Sequence, residues 1–132
     1  MKSLVLSVLV AASAHADSAA LNVQCRTKAD NETQANVTGE LSREGIDLKG
    51  ELLVDIREDQ KPLLNQKLIF AGLTLVDNSD YGIRVSLESG AGVSLFGTLP
   101  SGKREETTIL LRYPAVEGSE KELAVLDCKR VD

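Results

Sequence analysis

Tryptophan is absent from this sequence, and histidine and methionine occur once each, at His15 and Met1. Both sit in a segment that reads as removable. A single early charge at Lys2 precedes an apolar run from Leu4 to Ala12, broken only by Ser7, and the small-x-small sequence Ala14-His15-Ala16 follows it. This order predicts a signal peptide over residues 1–16, cut between Ala16 and Asp17, and an exported chain that works in the periplasm or outside the cell. The run is too short to cross a bilayer, which takes about 20 apolar residues, and no second run of that length follows. With His15 removed, no Ser-His-Asp or Cys-His catalytic group can form, and the commonest metal ligand is gone.

Aromatic residues are scarce: Phe70, Tyr81, Phe96 and Tyr113 are the only ones. Four rings cannot supply the two interfacial girdles of an outer-membrane barrel, and the chain ends in Val131-Asp132 instead of an aromatic residue, so no membrane-spanning barrel is expected. A glycine-rich phosphate loop is missing as well. Gly90-Ala91-Gly92 lies between apolar runs, with no helix pattern after it. Positive charge is in deficit: without Lys2 there remain 14 Lys and Arg against 20 Asp and Glu, a net charge of −6. The cations stand singly or in pairs, as at Lys103-Arg104 and Lys129-Arg130, so neither a cationic patch nor a nucleic-acid partner is predicted.

Cysteine is limited to Cys25 and Cys128, near the two ends of the mature chain. An exported domain with an even count oxidises its cysteines, which predicts one disulfide between them, holding the first and last elements together. Two cysteines without a histidine cannot complete a tetrahedral zinc shell, and Gln24 before Cys25 does not fit a lipid-acylation box. No cofactor is implied.

What the sequence does contain is alternation. Ile46, Leu48, Leu52, Val54 and Ile56 share one face of a strand, with Gly50 in the missing place, while Asp47, Lys49, Glu51, Asp55 and Arg57 occupy the other. The same period predicts strands at 21–27, 33–41, 67–76, 81–87, 92–98, 107–113 and 122–130, eight in all. Turn residues at 42–45, 77–80, 89–91 and 100–103 make successive strands antiparallel neighbours. The segment 58–65, with Pro62, reads as a crossover or larger loop, and all three prolines are placed outside strand interiors. The expected fold is one all-β domain over 17–132, an antiparallel barrel or sandwich whose first and last strands are bridged.

Candidate chemistry is thin. Asp55, Glu58 and Asp59 form one acidic group and Glu105 and Glu106 another, the residues a carboxylate-only hydrolase would use if they converge and solvated strand ends if they do not. Asp77, Ser79, Gly82 and Glu88 match four places of a twelve-residue calcium loop, which makes Asp77 and Asp80 candidate ion ligands. Tyr81 breaks that pattern, and the alternation of Tyr81, Ile83, Val85 and Leu87 claims the segment for a hairpin instead. Asn31-Glu32-Thr33 and Asn36-Val37-Thr38 are glycosylation triplets should the source be eukaryotic.

The positive clue is a strand apolar on both faces. Leu68, Phe70, Thr74 and Val76 can fill a core, leaving Ile69, Ala71, Leu73 and Leu75 to be covered by the 58–65 segment, a ligand, a second copy or a partner. Ile109-Leu110-Leu111 is a shorter instance. The expected function is therefore a non-catalytic exported binding module, inhibitor-like roles included, acting on a protein or small apolar ligand through the strip Ile69, Ala71, Leu73 and Leu75. The alternatives are the carboxylate-only hydrolase and a self-associating structural subunit of the cell envelope.

Overall fold

The computed structural model describes residues 18–114 and 121–130. The expected signal peptide, with His15 and the expected cleavage point at Ala16–Asp17, lies outside the described residues. Eight strands follow one another as β1 (Ser18–Arg26), β2 (Thr33–Glu44), β3 (Asp47–Glu58), β4 (Lys61–Asn78), β5 (Gly82–Ser89), β6 (Ser94–Leu99), β7 (Glu106–Pro114) and β8 (Lys121–Lys129). Each pairs antiparallel with the next, and β8 returns to β1, so the sheet is a closed barrel and the sandwich alternative falls away.

Alternation produces this directly. In β7, Thr107, Ile109, Leu111 and Tyr113 point inward and are buried, while Glu106, Thr108, Leu110, Arg112 and Pro114 face out. Inward residues from the other strands, among them Leu41, Leu52, Ile56, Phe70, Leu87, Leu95 and Leu126, fill the interior to almost no exposure. Eight strands enclose a space just wide enough for side chains, and here side chains occupy it. At two inward positions the side chain is omitted. A Cβ on Gly72 would lie 2.9 Å from Leu87 Cα and collide with the Ser86 carbonyl, and one on Gly50 would lie 2.9 Å from Leu41 Cα. Both distances are below any real Cβ contact, so these two glycines let neighbouring backbones close in.

Closure is narrow. All of β1 pairs with β2, but β1 meets β8 only at Cys25↔Cys128 and Arg26↔Asp127. The predicted disulfide joins the first of these pairs, with a sequence separation of 103.

Two expectations are corrected. Residues 58–65 are neither a crossover nor a large loop: β3 turns into β4 through Asp59 and Gln60, both left-handed at φ 50° and 66°, the backbone of a tight two-residue hairpin. Pro62 therefore stands inside a strand, the second residue of β4. It is tolerated because β5 pairs with β4 only from Phe70 onward, which leaves one side of the early part of β4 without a ladder, and because the register slips beside it between Ile56 and Arg57. The second correction concerns Val76. A bulge between Thr74 and Val76 inserts Leu75 and shifts the alternation by one, so Val76, expected inside with Phe70, is 51% exposed.

Candidate functional site

With the 58–65 segment drawn into a hairpin, no described segment covers the outer face of β4. Ile69, Ala71, Leu73 and Leu75 are all exposed. Register then extends this strip sideways. Leu73 pairs with Ser86, Ser86 with Phe96, Phe96 with Leu110, and Leu110 with Val125, one continuous row across β4 to β8. Four interstrand steps of about 4.8 Å make it roughly 19 Å wide. Phe96 is 46% exposed and Val125 53%, and Leu123 stands exposed one outward position from Val125. The row is rimmed by cations: the Arg84 guanidinium lies 5.8 Å from the Phe96 ring centroid, in cation–π range, and Arg112 is cross-strand partner to Leu123.

Phe96, Leu123 and Val125 were missed in the sequence. The signal available was adjacent apolar pairs inside a strand, Leu95-Phe96 and Leu123-Ala124-Val125-Leu126, one member of each facing out. The opposite side of the barrel is different in kind: Glu40, Lys49, Glu51 and Arg57 project from β2 and β3.

The acidic candidates do not converge. Glu58 is close enough to Tyr113 to act on its ionisation, whereas Glu106 opens the same strand seven residues earlier, roughly 23 Å away at about 3.3 Å per residue. Glu58, Asp59, Glu105 and Glu106 are exposed, and Asp55 lies 3.5 Å from the Arg57 guanidinium. Asp77 and Asp80 also face different partners. Arg43 Nη1 donates to Asp77 Oδ2 at 2.8 Å, Lys103 Nζ lies 3.8 Å from Asp80 Oδ1, and the Asp80 N–H donates to Asn78 Oδ1 in an Asx turn. The Tyr81 N–H donates to the Asn78 carbonyl and closes the hairpin expected there. Of the glycosylation triplets, Asn36 presents its side chain on the outer face of β2.

One cluster was not foreseen. Groove one, of about 560 Å³, crosses the β1–β8 seam and is lined by Arg26, Lys28, Lys129 and Arg130 with Gln24 and Asp127. Groove two, of about 920 Å³, shares Lys28, Asp127 and Lys129 and adds Tyr81, Arg104 and Glu106. Five cations thus meet around two carboxylates in a chain of net charge −5, which corrects the expectation that no cationic patch forms. Ring closure is the cause, since it sets Arg26 and Lys28 beside Lys129 and Arg130.

Among the described residues, Tyr113 is the buried ionisable group. Burial, reinforced by the nearby negative charge of Glu122 and Glu58 and opposed by the Thr33 side chain, raises its pKa above 10.0. The unfolded chain then releases this proton first, so stability present below pH 10 falls as pH rises through the folded-state value. In a Tyr81→Phe chain, where Tyr113 is the one remaining tyrosine, absorbance at 295 nm is expected to titrate above pH 10. A midpoint at or below 10 would refute the burial argument.

Comparison with protein-family models, curated proteins and solved structures gives no match to this chain.

Proposed function

We propose that this barrel is a non-catalytic binding module of the periplasm or extracellular space, and that the row Leu73, Phe96, Leu110 and Val125 seats a protein partner. The observation that carries the reading is the register, which joins two separately apolar segments into one row across five strands, with half-buried Ser86 as its polar member on β5. Apolar surface of this extent, centred on an aromatic ring and rimmed by arginine, has the composition of an interface core. Arg84 and Arg112 at the rim favour a partner that surrounds an apolar centre with carboxylates. A small apolar ligand is less well served, because side chains already occupy the barrel interior. The disulfide suits an oxidising compartment. Separation of the acidic groups counts against the carboxylate-only hydrolase.

The test is capture from the periplasmic or extracellular fraction with the mature, oxidised chain, compared with Phe96→Asp and Leu110→Asp. A partner retained by wild type and by Lys49→Glu on the charged wall, but bound about thirtyfold more weakly by either row variant, is the expected result, the size of a central hot spot. Capture indifferent to the row variants, or no capture, refutes the proposal. Light scattering that shows a dimer abolished by Phe96→Asp would assign the row to a second copy instead.

A further inference from the structure

We propose that the cationic seam beside the apolar row is a binding groove for an acidic polysaccharide, a chain bearing one carboxylate per sugar among many hydroxyls. Its outward positions lie one step along each strand from the row: Thr98 follows Phe96, Thr108 precedes Leu110, and Asp127 follows Val125. The two lanes are separated by about 7 Å, two residues of extended chain. They differ wholly in chemistry.

Charge is the first reason. Arg26, Lys28, Arg104, Lys129 and Arg130 line the two joined grooves, and none forms an ion pair with a carboxylate among the described residues, where the pairs found are Arg43–Asp77, Arg57–Asp55 and Lys103–Asp80. Asp127 stands opposite Arg26 and Glu106 opposite Lys129 across the strands, so five cations against two carboxylates leave an excess of positive charge that attracts an anionic ligand. The second reason is preorganisation. The Gln34 amide donates to the carbonyls of Lys28 at 3.0 Å, Ala29 at 3.3 Å and Asn31 at 2.6 Å, and its oxygen accepts from Thr27 Oγ1 at 3.3 Å. This ties the loop that carries Lys28 to β2. At the far wall the Arg130 guanidinium donates to the Gly102 carbonyl, and its backbone N–H to that of Glu105. Gln34 and the Arg130 backbone are thus positioning groups, and the cations they hold are the ones offered to a ligand.

The remaining lining selects the class of anion. Asp127 and Glu106 stand among the cations, where they repel dense polyphosphate but accept hydrogen bonds from sugar hydroxyls. Gln24, Asn36, Thr98 and Thr108 offer neutral donors and acceptors alongside. Tyr81, 72% exposed at the end of groove two, presents a ring on which the C–H face of a sugar can stack. Ala29 is the one aliphatic side chain in the lining, which offers little to the side chains of a peptide.

Calorimetry on the mature, oxidised chain tests this with hexagalacturonate, using maltohexaose, hexaglutamate and tripolyphosphate as comparison ligands. Hexagalacturonate is expected to bind, with affinity falling as salt rises, and maltohexaose is not. Lys28→Glu combined with Lys129→Glu should weaken binding at least about tenfold, the scale of losing charge-assisted hydrogen bonds. Lys49→Glu should leave it unchanged, and Tyr81→Ala should weaken hexagalacturonate without strengthening tripolyphosphate. The proposal is overturned by no binding of hexagalacturonate at millimolar concentration, by tighter binding of hexaglutamate or tripolyphosphate, or by indifference to the double charge reversal. Hexagalacturonate binding is read on the wild-type chain with no protein partner present, so failure here is separable from failure of the protein-partner proposal.

Discussion

Removing the Cys25–Cys128 bridge, by reduction or as Cys25→Ala with Cys128→Ala, is expected to destabilise the barrel by about 4–5 kcal/mol, the chain-entropy value for a loop of roughly 100 residues. The bridge closes a separation of 103 residues. Its weight comes from where it sits. Every other seam of the barrel is a longer ladder, while β1 and β8 share only Cys25↔Cys128 and Arg26↔Asp127. A domain of this size has about 5–15 kcal/mol in total, so the reduced protein should be marginal. Urea unfolding with and without reductant measures the change, and hydrogen exchange should show β1 opening before β4. A loss below about 1 kcal/mol, or uniform exchange, would mean that packing alone closes the ring. Opening the seam would also separate Arg26 and Lys28 from Lys129 and Arg130, so binding of an acidic glycan should weaken with it.

Phe70→Ala is expected to cost about 3–5 kcal/mol, the range for deleting a buried phenyl ring. Phe70 is the largest of the fully buried side chains among the described residues. Its cross-strand partner on β3 is Gly50, which has no side chain and cannot be given one without colliding with β2, so that side offers nothing to fill the space the ring leaves. The melting temperature should fall by more than about 10 °C, given several degrees per kcal/mol for a domain of this length. Phe70→Leu, which keeps much of the volume, should recover part of the loss. A drop of less than about 1 kcal/mol for the alanine variant would show that the barrel collapses freely around Gly50.

Strands were legible because a half-buried strand must alternate, and the inward positions kept that period even where Leu53, Phe96, Leu110 and Val125 put apolar residues on the outer face. The departures occurred where backbone geometry overrides side-chain pattern. Gln60 is not a residue that advertises a left-handed conformation, and Pro62 reads as a breaker unless the missing ladder beside it is known. Nothing in Leu73-Thr74-Leu75-Val76 signals a bulge, since each residue suits a strand on either face. Half of the apolar site was visible in β4 and at Ile109-Leu110-Leu111. Its extent was not, because Phe96 and Val125 join Leu110 only through register.

Local spacing by itself determined that this protein is all-β, that its strands run antiparallel, and that its cysteines lie where a bridge would join first strand to last. These follow from short-range rules, the two-residue period and the reach of turns, which operate within a few residues. Tertiary structure alone decided that the sheet closes as a barrel, that the exposed apolar residues of β4, β6, β7 and β8 form one row, and that cations about a hundred residues apart share a groove. Each of those depends on register and ring closure, the relative displacement of whole strands, to which no local pattern of residues is sensitive.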